Sequence, residues 1–285
     1  MLMKLVRFGP ASQERPGILD QQGLIRDVSA LVDDWAGRWL DPQSLERMAP
    51  DLEPHRFPRV EPGVRLGPCV GAVGKVVGIG LNYSDHAAES GMPVPSEPVV
   101  FFKAASAISG PYDDVEIPRG STKTDWEVEL GVVIGRRAKY VEVGEALSYV
   151  AGYCVVNDLS ERRFQLEMGG LWDKGKSHDT FAPIGPWLVT KDEIPDPQAL
   201  ELWLEVDGIR RQQGHTSRMV FGVAELVSYL SRFMTLLPGD VITTGTPPGV
   251  GMGLKPPQFL REGQLMRLGI EGLGVQELRT VACKP

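Results

Sequence analysis

The stretch Thr124-Asp-Trp-Glu-Val-Glu-Leu-Gly-Val-Val-Ile134 holds the densest set of reactive side chains in the sequence. Side chains two apart on a β-strand project to one face, so Asp125, Glu127 and Glu129 form a row, with Trp126, Val128 and Leu130 opposite. Alone, such a row fits the solvated face of an antiparallel strand. Asp158 adds a fourth carboxylate. It follows the apolar run 150–156 at a strand-to-helix junction, where its ordinary duty would be to cap a helix beginning at Leu159. Carboxylates converging on one point repel unless a hard divalent cation neutralises them, and oxygen-only ligands favour Mg²⁺, Mn²⁺ or Ca²⁺ over zinc. Closer to the N-terminus, Gly80-Leu-Asn-Tyr83-Ser-Asp-His86-Ala-Ala-Glu89 places His86 and Glu89 as neighbours on a short helix predicted over 85–90. A histidine held by a carboxylate is a general base for water, although the same spacing is also common as a plain surface pair.

Several other patterns match chemistry on paper and fail on context. Gly170-Leu-Trp-Asp-Lys-Gly-Lys-Ser177 satisfies G-x-x-x-x-G-K-S, whose mechanism needs a strand before the loop and a helix after it. Here a predicted helix precedes, Pro183 and Pro186 follow, and Leu171 and Trp172 fill the loop. Gly78-Ile-Gly80 follows a strand, but Tyr83 stands where a dinucleotide fingerprint needs its third glycine. There is no G-x-S-x-G, and the histidines at 55, 86, 178 and 215 form no H-E-x-x-H pair.

Short strands must position these groups. The chain has 285 residues, 42% hydrophobic and 24% charged, which suits one large domain or one and a half. Its 33 glycines and 23 prolines, roughly a fifth of the chain, point to a turn-rich fold of many short strands. Strands are expected over 2–8, 75–79, 99–103, 124–134, 150–156 and 241–244, with a hairpin over 17–28 turning at Gln21-Gln22-Gly23. Residues 31–40 are apolar at helical spacing. Asp41 followed by Pro42 opens a short helix to about Ala49, and further helices are expected over 159–168 and 223–233. Prolines 50, 54, 58, 62 and 68 mark a linker, so 1–68 is a small N-terminal module and 69–285 the catalytic domain. The class is mainly β with flanking helices (α+β).

A net charge of −7 argues against nucleic acid as a partner. No run of 18 apolar residues suggests a membrane span, and the first ten residues lack a secretory signal. Cys69, Cys154 and Cys283 form no C-x-x-C pair and read as thiols in a reducing compartment, so the cytoplasm is expected.

Five motifs recur in order: Gly-Leu-Asn-Tyr-x-x-His-Ala-x-Glu, Asp-Trp-Glu-Val-Glu-Leu, Asn-Asp-x-Ser-x-Arg, Lys-Ser-x-Asp-Thr-Phe-x-Pro-x-Gly-Pro and Thr-Gly-Thr-Pro-x-Gly-Val-Gly. Spread over about residues 70–280, they resemble the fumarylacetoacetate hydrolase superfamily. With Lys-x-x-Arg-Phe-Gly-Pro at the start and Gly-Met-Pro-Val-Pro after the predicted helix, the pattern is most similar to bacterial 2,4-diketo-3-deoxy-L-rhamnonate and L-fuconate hydrolases. The resemblance implies a mixed β-sandwich roll behind a small N-terminal β-rich module. It implies Glu127, Glu129 and Asp158 as metal ligands with open positions for a bidentate 2-oxo acid. His86 and Glu89 match the water-activating dyad. Lys176 matches the lysine that meets substrate charge, which accounts for the phosphate-loop coincidence. Tyr83, Gln165 and Thr246 match substrate contacts, and Arg162 joins them or orients Asp158 or the dyad. The implied cofactor is Mg²⁺ or Mn²⁺, with Ca²⁺ an alternative occupant in crystals. The implied partner is a small 2-oxo acid, bound by a homodimer or homotetramer that needs neither nucleic acid nor membrane. The implied activity is that of a hydrolase acting on carbon–carbon bonds, of the acylpyruvase type, in sugar-acid catabolism. It would cleave the C3–C4 bond of a 2,4-dioxo acid to give pyruvate and L-lactate. Decarboxylation or isomerisation of unsaturated 2-oxo dicarboxylic acids, or ureidoglycolate cleavage, would use the same metal row.

Overall fold

A computed structural model of the chain describes residues 3–85 and 93–283. Short β-rich runs punctuated by glycine and proline become strands β1 (Lys4–Phe8), β2 (Arg15–Leu19), β3 (Ile25–Asp27), β4 (Val76–Gly80), β5 (Val99–Lys103), β6 (Ile108–Ser109), β7 (Val115–Ile117), β8 (Thr124–Asp125) and β9 (Val128–Ile134). There follow β10 (Val150–Asn157), β11 (Ser160–Glu161), β12 (Ala182–Thr190), β13 (Glu201–Val206), β14 (Ile209–His215), β15 (Val241–Thr243), β16 (Leu265–Ile270) and β17 (Gly274–Ala282). A ten-stranded sheet runs β3-β2-β1-β12-β10-β9-β15-β4-β5, with β6 beside β12, and a five-stranded sheet runs β14-β13-β16-β17-β7. Most pairs are antiparallel; β15 with β4, β12 with β6 and β17 with β7 are parallel. The fold is therefore mainly β and mixed, as expected.

Both faces of the large sheet are covered. Leu130 and Val132 of β9 pack with Leu202, Leu204 and Leu268 of the smaller sheet. On the other side, Val133, Cys154, Val156 and Leu188 pack with Trp35, Leu40 and Leu45 of the N-terminal segment. Burial on two sides explains why β9 and β10 read as continuous apolar runs rather than alternating ones. The N-terminal strands do not stand apart: β1 pairs antiparallel with β12, Leu5 opposite Leu188. The proline-rich stretch also bridges back, Leu66 to Phe8 and Arg59 to Arg26.

Helix α1 (Pro42–Met48) starts as expected, with Asp41 Oδ1 accepting the Ser44 N–H at 3.0 Å. The hairpin of β2 and β3 also forms, closed by Asp20, whose carboxylate accepts the N–H groups of Gln22 and Leu24. Residues 31–40 are not a helix. Apart from one 3₁₀ turn at Gly37–Leu40 they form turns and bends, with Trp35 wholly buried against the large sheet and its indole N–H donating to the Gly17 carbonyl at 2.9 Å. Two further expectations change near the site. The strand expected over 124–134 is interrupted at Trp126 and Glu127. The helix expected from Leu159 begins only at Arg162, since Ser160 and Glu161 are drawn into a two-stranded ladder with β8. That helix is α2 (Arg162–Leu166), followed by α3 (Asp173–Lys176) and the long amphipathic α4 (Val223–Phe233). The helix expected over 85–90 lies almost entirely outside the described residues. No helix among the described residues is long and apolar enough to cross a membrane.

Trp35→Ala should cost about 3–5 kcal/mol in urea unfolding, the usual loss for truncating a buried tryptophan. A loss below about 1 kcal/mol would mean that the N-terminal segment does not hold the second face of the sheet.

Candidate metal centre

The pairing of β9 and β10 sets Glu129 opposite Val156 and Val128 opposite Asn157, so the end of one strand meets the start of the other. Asp158 continues this contact, its N–H donating to the Glu127 carbonyl at 2.9 Å. Glu127 can leave the strand because side chains replace ladder bonds: Asn157 Oδ1 accepts the Glu127 N–H at 3.1 Å and Gln212 Oε1 the Val128 N–H at 3.0 Å. One oxygen from each of Glu127, Glu129 and Asp158 then lies within 4.8 Å of the others. The three side chains are buried, so the solvated-face reading fails. Three carboxylates with no nitrogen or sulfur donor are a set for a hard divalent cation such as Mg²⁺ or Mn²⁺.

Asp125 is not part of this convergence. Its Oδ1 accepts the N–H groups of Gly251 at 2.7 Å and Trp126 at 2.9 Å, and its Oδ2 that of Met252 at 3.0 Å. It anchors the glycine-rich loop. Asp158 likewise caps no helix; Glu161 accepts the Arg163 N–H instead.

Buried carboxylates are tolerable only with partners. Lys103, wholly buried, donates to Asp158 Oδ1 at 2.5 Å and to the Leu159 carbonyl at 3.1 Å. Lys176 donates to Asp158 Oδ2 at 2.7 Å and Glu127 Oε2 at 2.8 Å. Arg162 spans Glu127 Oε1 at 2.6 Å and Asp125 Oδ2 at 2.9 Å, and its remaining nitrogen donates to Gln165 Oε1 at 3.0 Å. Arg162 thus orients Glu127 and Asp125, while the lysines orient Asp158. Burial pulls the Lys103 ammonium below its ordinary value despite Asp158. Burial opposes the charge on Lys176 too, but Asp158 and Glu127 outweigh it and raise that group.

Glu129 is the exception. Its Oε2 accepts the Gly245 N–H at 2.8 Å, and no cation contacts it directly among the described residues. Burial first, then the charges of Asp158 and Glu127, push its carboxyl well above the usual range. Gly245 can aim its N–H there because its φ of +96° is open to glycine, and a Cβ would meet that of Asn82 at 2.8 Å.

A cavity of about 200 Å³ opens beside the carboxylates. Glu127, Glu129, Arg162, Gln165, Lys176 and Thr246 make its polar end. The Thr246 hydroxyl donates to the Val128 carbonyl at 3.0 Å and accepts from Gln212 at 2.7 Å. Tyr83 is not among the residues that line the cavity; it is buried in the core, and its hydroxyl has no hydrogen-bond partner among the described residues. His86 and Glu89 lie outside the described residues. A larger hollow of about 440 Å³ beside α1 holds no convergent acids and no part of this set. Sequence reasoning missed Lys103, whose one signal is a lysine ending the half-buried, otherwise apolar strand β5. It also missed Asn82, which ties the loops together by bonds to Phe221 and the Thr244 carbonyl.

Residues 75–281 match the family model described as fumarylacetoacetate (FAA) hydrolase C-terminal. A Burkholderia orbicola protein, whose name goes no further than the word hydrolase, is 65% identical over 98% of this chain and 99% of its own. The solved fumarylacetoacetate hydrolase of psychrophilic Exiguobacterium antarcticum is 34% identical with a TM-score of 0.84, covering 99% of this chain and 100% of that one. The maleylpyruvate hydrolase of Sphingobium sp. SYK-6, solved with manganese(II) and pyruvate, is 27% identical with a TM-score of 0.81, covering 99% and 100%.

Glu129 binds its proton more tightly folded than unfolded, so its contribution to stability is full below the unfolded value of 4.5 and is lost as pH rises through the raised folded value. Glu129→Gln removes that loss. Without metal at pH 8 it should be more stable than wild type by on the order of 1–3 kcal/mol in urea unfolding, and the gap should close toward pH 5. A variant less stable than wild type at pH 8 would contradict this account of Glu129.

Proposed function

The chain belongs to the fumarylacetoacetate hydrolase family, and from that premise we propose that it hydrolyses the C3–C4 bond of a 2,4-dioxo acid. The substrate would be of the 2,4-diketo-3-deoxy-L-rhamnonate or L-fuconate type, giving pyruvate and L-lactate. The observation that carries the proposal is the buried convergence of Glu127, Glu129 and Asp158 at the polar end of a small cavity, next to Lys176 and Gln165. The manganese(II) and pyruvate held by the Sphingobium relative support the same reading.

Glu127, Glu129 and Asp158 would hold Mg²⁺ or Mn²⁺, which when bound supplies Lewis-acid stabilisation of charge developing on a 2-oxo acid. Lys176 keeps a positive charge at the place where the pyruvate fragment becomes an enolate. Arg162 fixes the Gln165 carbonyl oxygen, so the Gln165 amide N–H groups are left to meet substrate. His86, paired in this proposal with Glu89, would take a proton from water as the water oxygen attacks C4. The C3–C4 electron pair leaves with the pyruvate fragment, and the proton returns to C3. Arg162 and the lysines hold Glu127 and Asp158 in place for that cation.

Incubation with Mg²⁺ and a panel of 2,4-dioxo acids, oxaloacetate and ureidoglycolate should release pyruvate from a dioxo acid, without CO₂ or urea. EDTA should abolish the reaction and Mn²⁺ restore it. His86→Ala should lose about 10²–10⁴-fold in rate while still binding Mn²⁺ in calorimetry, whereas Glu129→Ala should lose Mn²⁺. Full activity in chelator would overturn the proposal, and CO₂ or urea as the main product would move the chain to decarboxylation or ureidoglycolate cleavage.

A further inference from the structure

The cavity has two chemically different ends. Besides the carboxylates it is lined by Ile79, Leu81, Phe101, Leu166, Trp172 and Met252, with Lys176 Nζ 4.8 Å from the centroid of the Phe101 ring. Trp172 is seated there by three features. Gly80 leaves room for it, since a methyl group on Gly80 would overlap the indole ring. Phe101 packs against it with ring centroids 5.7 Å apart and planes tilted by 54°. Helix α3 and the residue after it are tied to β5 and the residue after it, Asp173 Oδ1 accepting the Phe102 N–H at 2.7 Å and Ser177 Oγ the Ala104 N–H at 3.0 Å.

Among the described residues the cations that line the cavity are Arg162 and Lys176, and both are already engaged by Asp125, Glu127 and Asp158. Among the described residues the surface at Trp172 is therefore apolar, and Lys176, which reaches Phe101, is already paired with Glu127 and Asp158. A carboxylate placed there would lose its hydration without gaining a partner, whereas a methyl group would gain contact with two rings. The volume of about 200 Å³ also limits the ligand to a short chain.

We infer that Trp172, seated by Gly80 and Phe101, is a specificity-determining residue that admits 2-oxo acids with a short uncharged far end and rejects those ending in a second carboxylate. This rests on the reading of the polar end as a metal-assisted 2-oxo acid site. It separates the substrates considered for that site: the hydroxyethyl end that would leave as lactate is accepted, and unsaturated dicarboxylic acids are not.

The test uses two acids of equal chain length, 2-oxopentanoate and 2-oxoglutarate, titrated by calorimetry into the full chain with saturating Mn²⁺. Wild type should bind 2-oxopentanoate at least about tenfold more tightly. Trp172→Arg supplies the missing counter-charge and should reverse the order, while Trp172→Leu keeps an apolar wall and should preserve it with weaker binding. If wild type binds 2-oxoglutarate as tightly as 2-oxopentanoate, the inference fails and the reading of the polar end stands. If wild type binds neither acid, both fail. An unchanged order in a folded Trp172→Arg removes the role from Trp172. Should that variant not fold, the wild-type ratio and Trp172→Leu decide.

Discussion

Everything near the cavity follows from the cost of burying carboxylates at one meeting point of two strands. Glu127, Glu129 and Asp158 bring three negative charges together out of water, and Asp125 sits just behind them. Lys103, Lys176 and Arg162 offset three of those four charges through contacts of 2.5–2.9 Å. Such an arrangement is an expensive way to stabilise a fold, since apolar replacements of similar volume often do as well. It is an effective way to hold oxygen ligands rigid with the balance of charge left one short, and the shortfall is felt at Glu129.

The surrounding architecture serves that rigidity. Strands β9 and β10 are clamped between the smaller sheet and the N-terminal segment, so neither can slide without disturbing two cores. The parallel strands β4 and β15 end at the same rim, which delivers Gly80 to the apolar wall and Gly245 to Glu129. Asp125 ties the glycine-rich loop to Arg162 and hence to Glu127. The loop that borders the cavity and the ligand set thus form one hydrogen-bonded unit, and the ligands need no movement of the sheet to stay converged.

Much of this was legible in the residues, for reasons that differ by element. The apolar run of β10 ending in Asn157-Asp158 could be read because a strand covered on both faces has few other compositions. The alternation around Glu127 and Glu129 was legible too, but it overreached by including Asp125, since periodicity cannot reveal a break where Asn157 and Gln212 side chains replace ladder bonds. Residues 31–40 carry helical spacing yet form turns and bends, because burial of Trp35 against the sheet outweighs local propensity. Lys103 could not be assigned from spacing: its partner Asp158 is 55 residues away, and only the tertiary fold brings them together. Trp172 looked like an obstruction in a failed phosphate loop and is in fact a wall of the cavity.

The converged carboxylates are proposed to form one divalent-cation site. Titration of Mn²⁺ into the metal-free protein, followed by electron paramagnetic resonance, tests it without assuming a substrate. One Mn²⁺ should bind per chain, displaced by Mg²⁺, with an affinity at least about tenfold weaker in Asp158→Asn, the usual scale of loss when a metal site is perturbed. A protein that binds no Mn²⁺, or an Asp158→Asn variant that binds it as tightly as wild type, would contradict the claim.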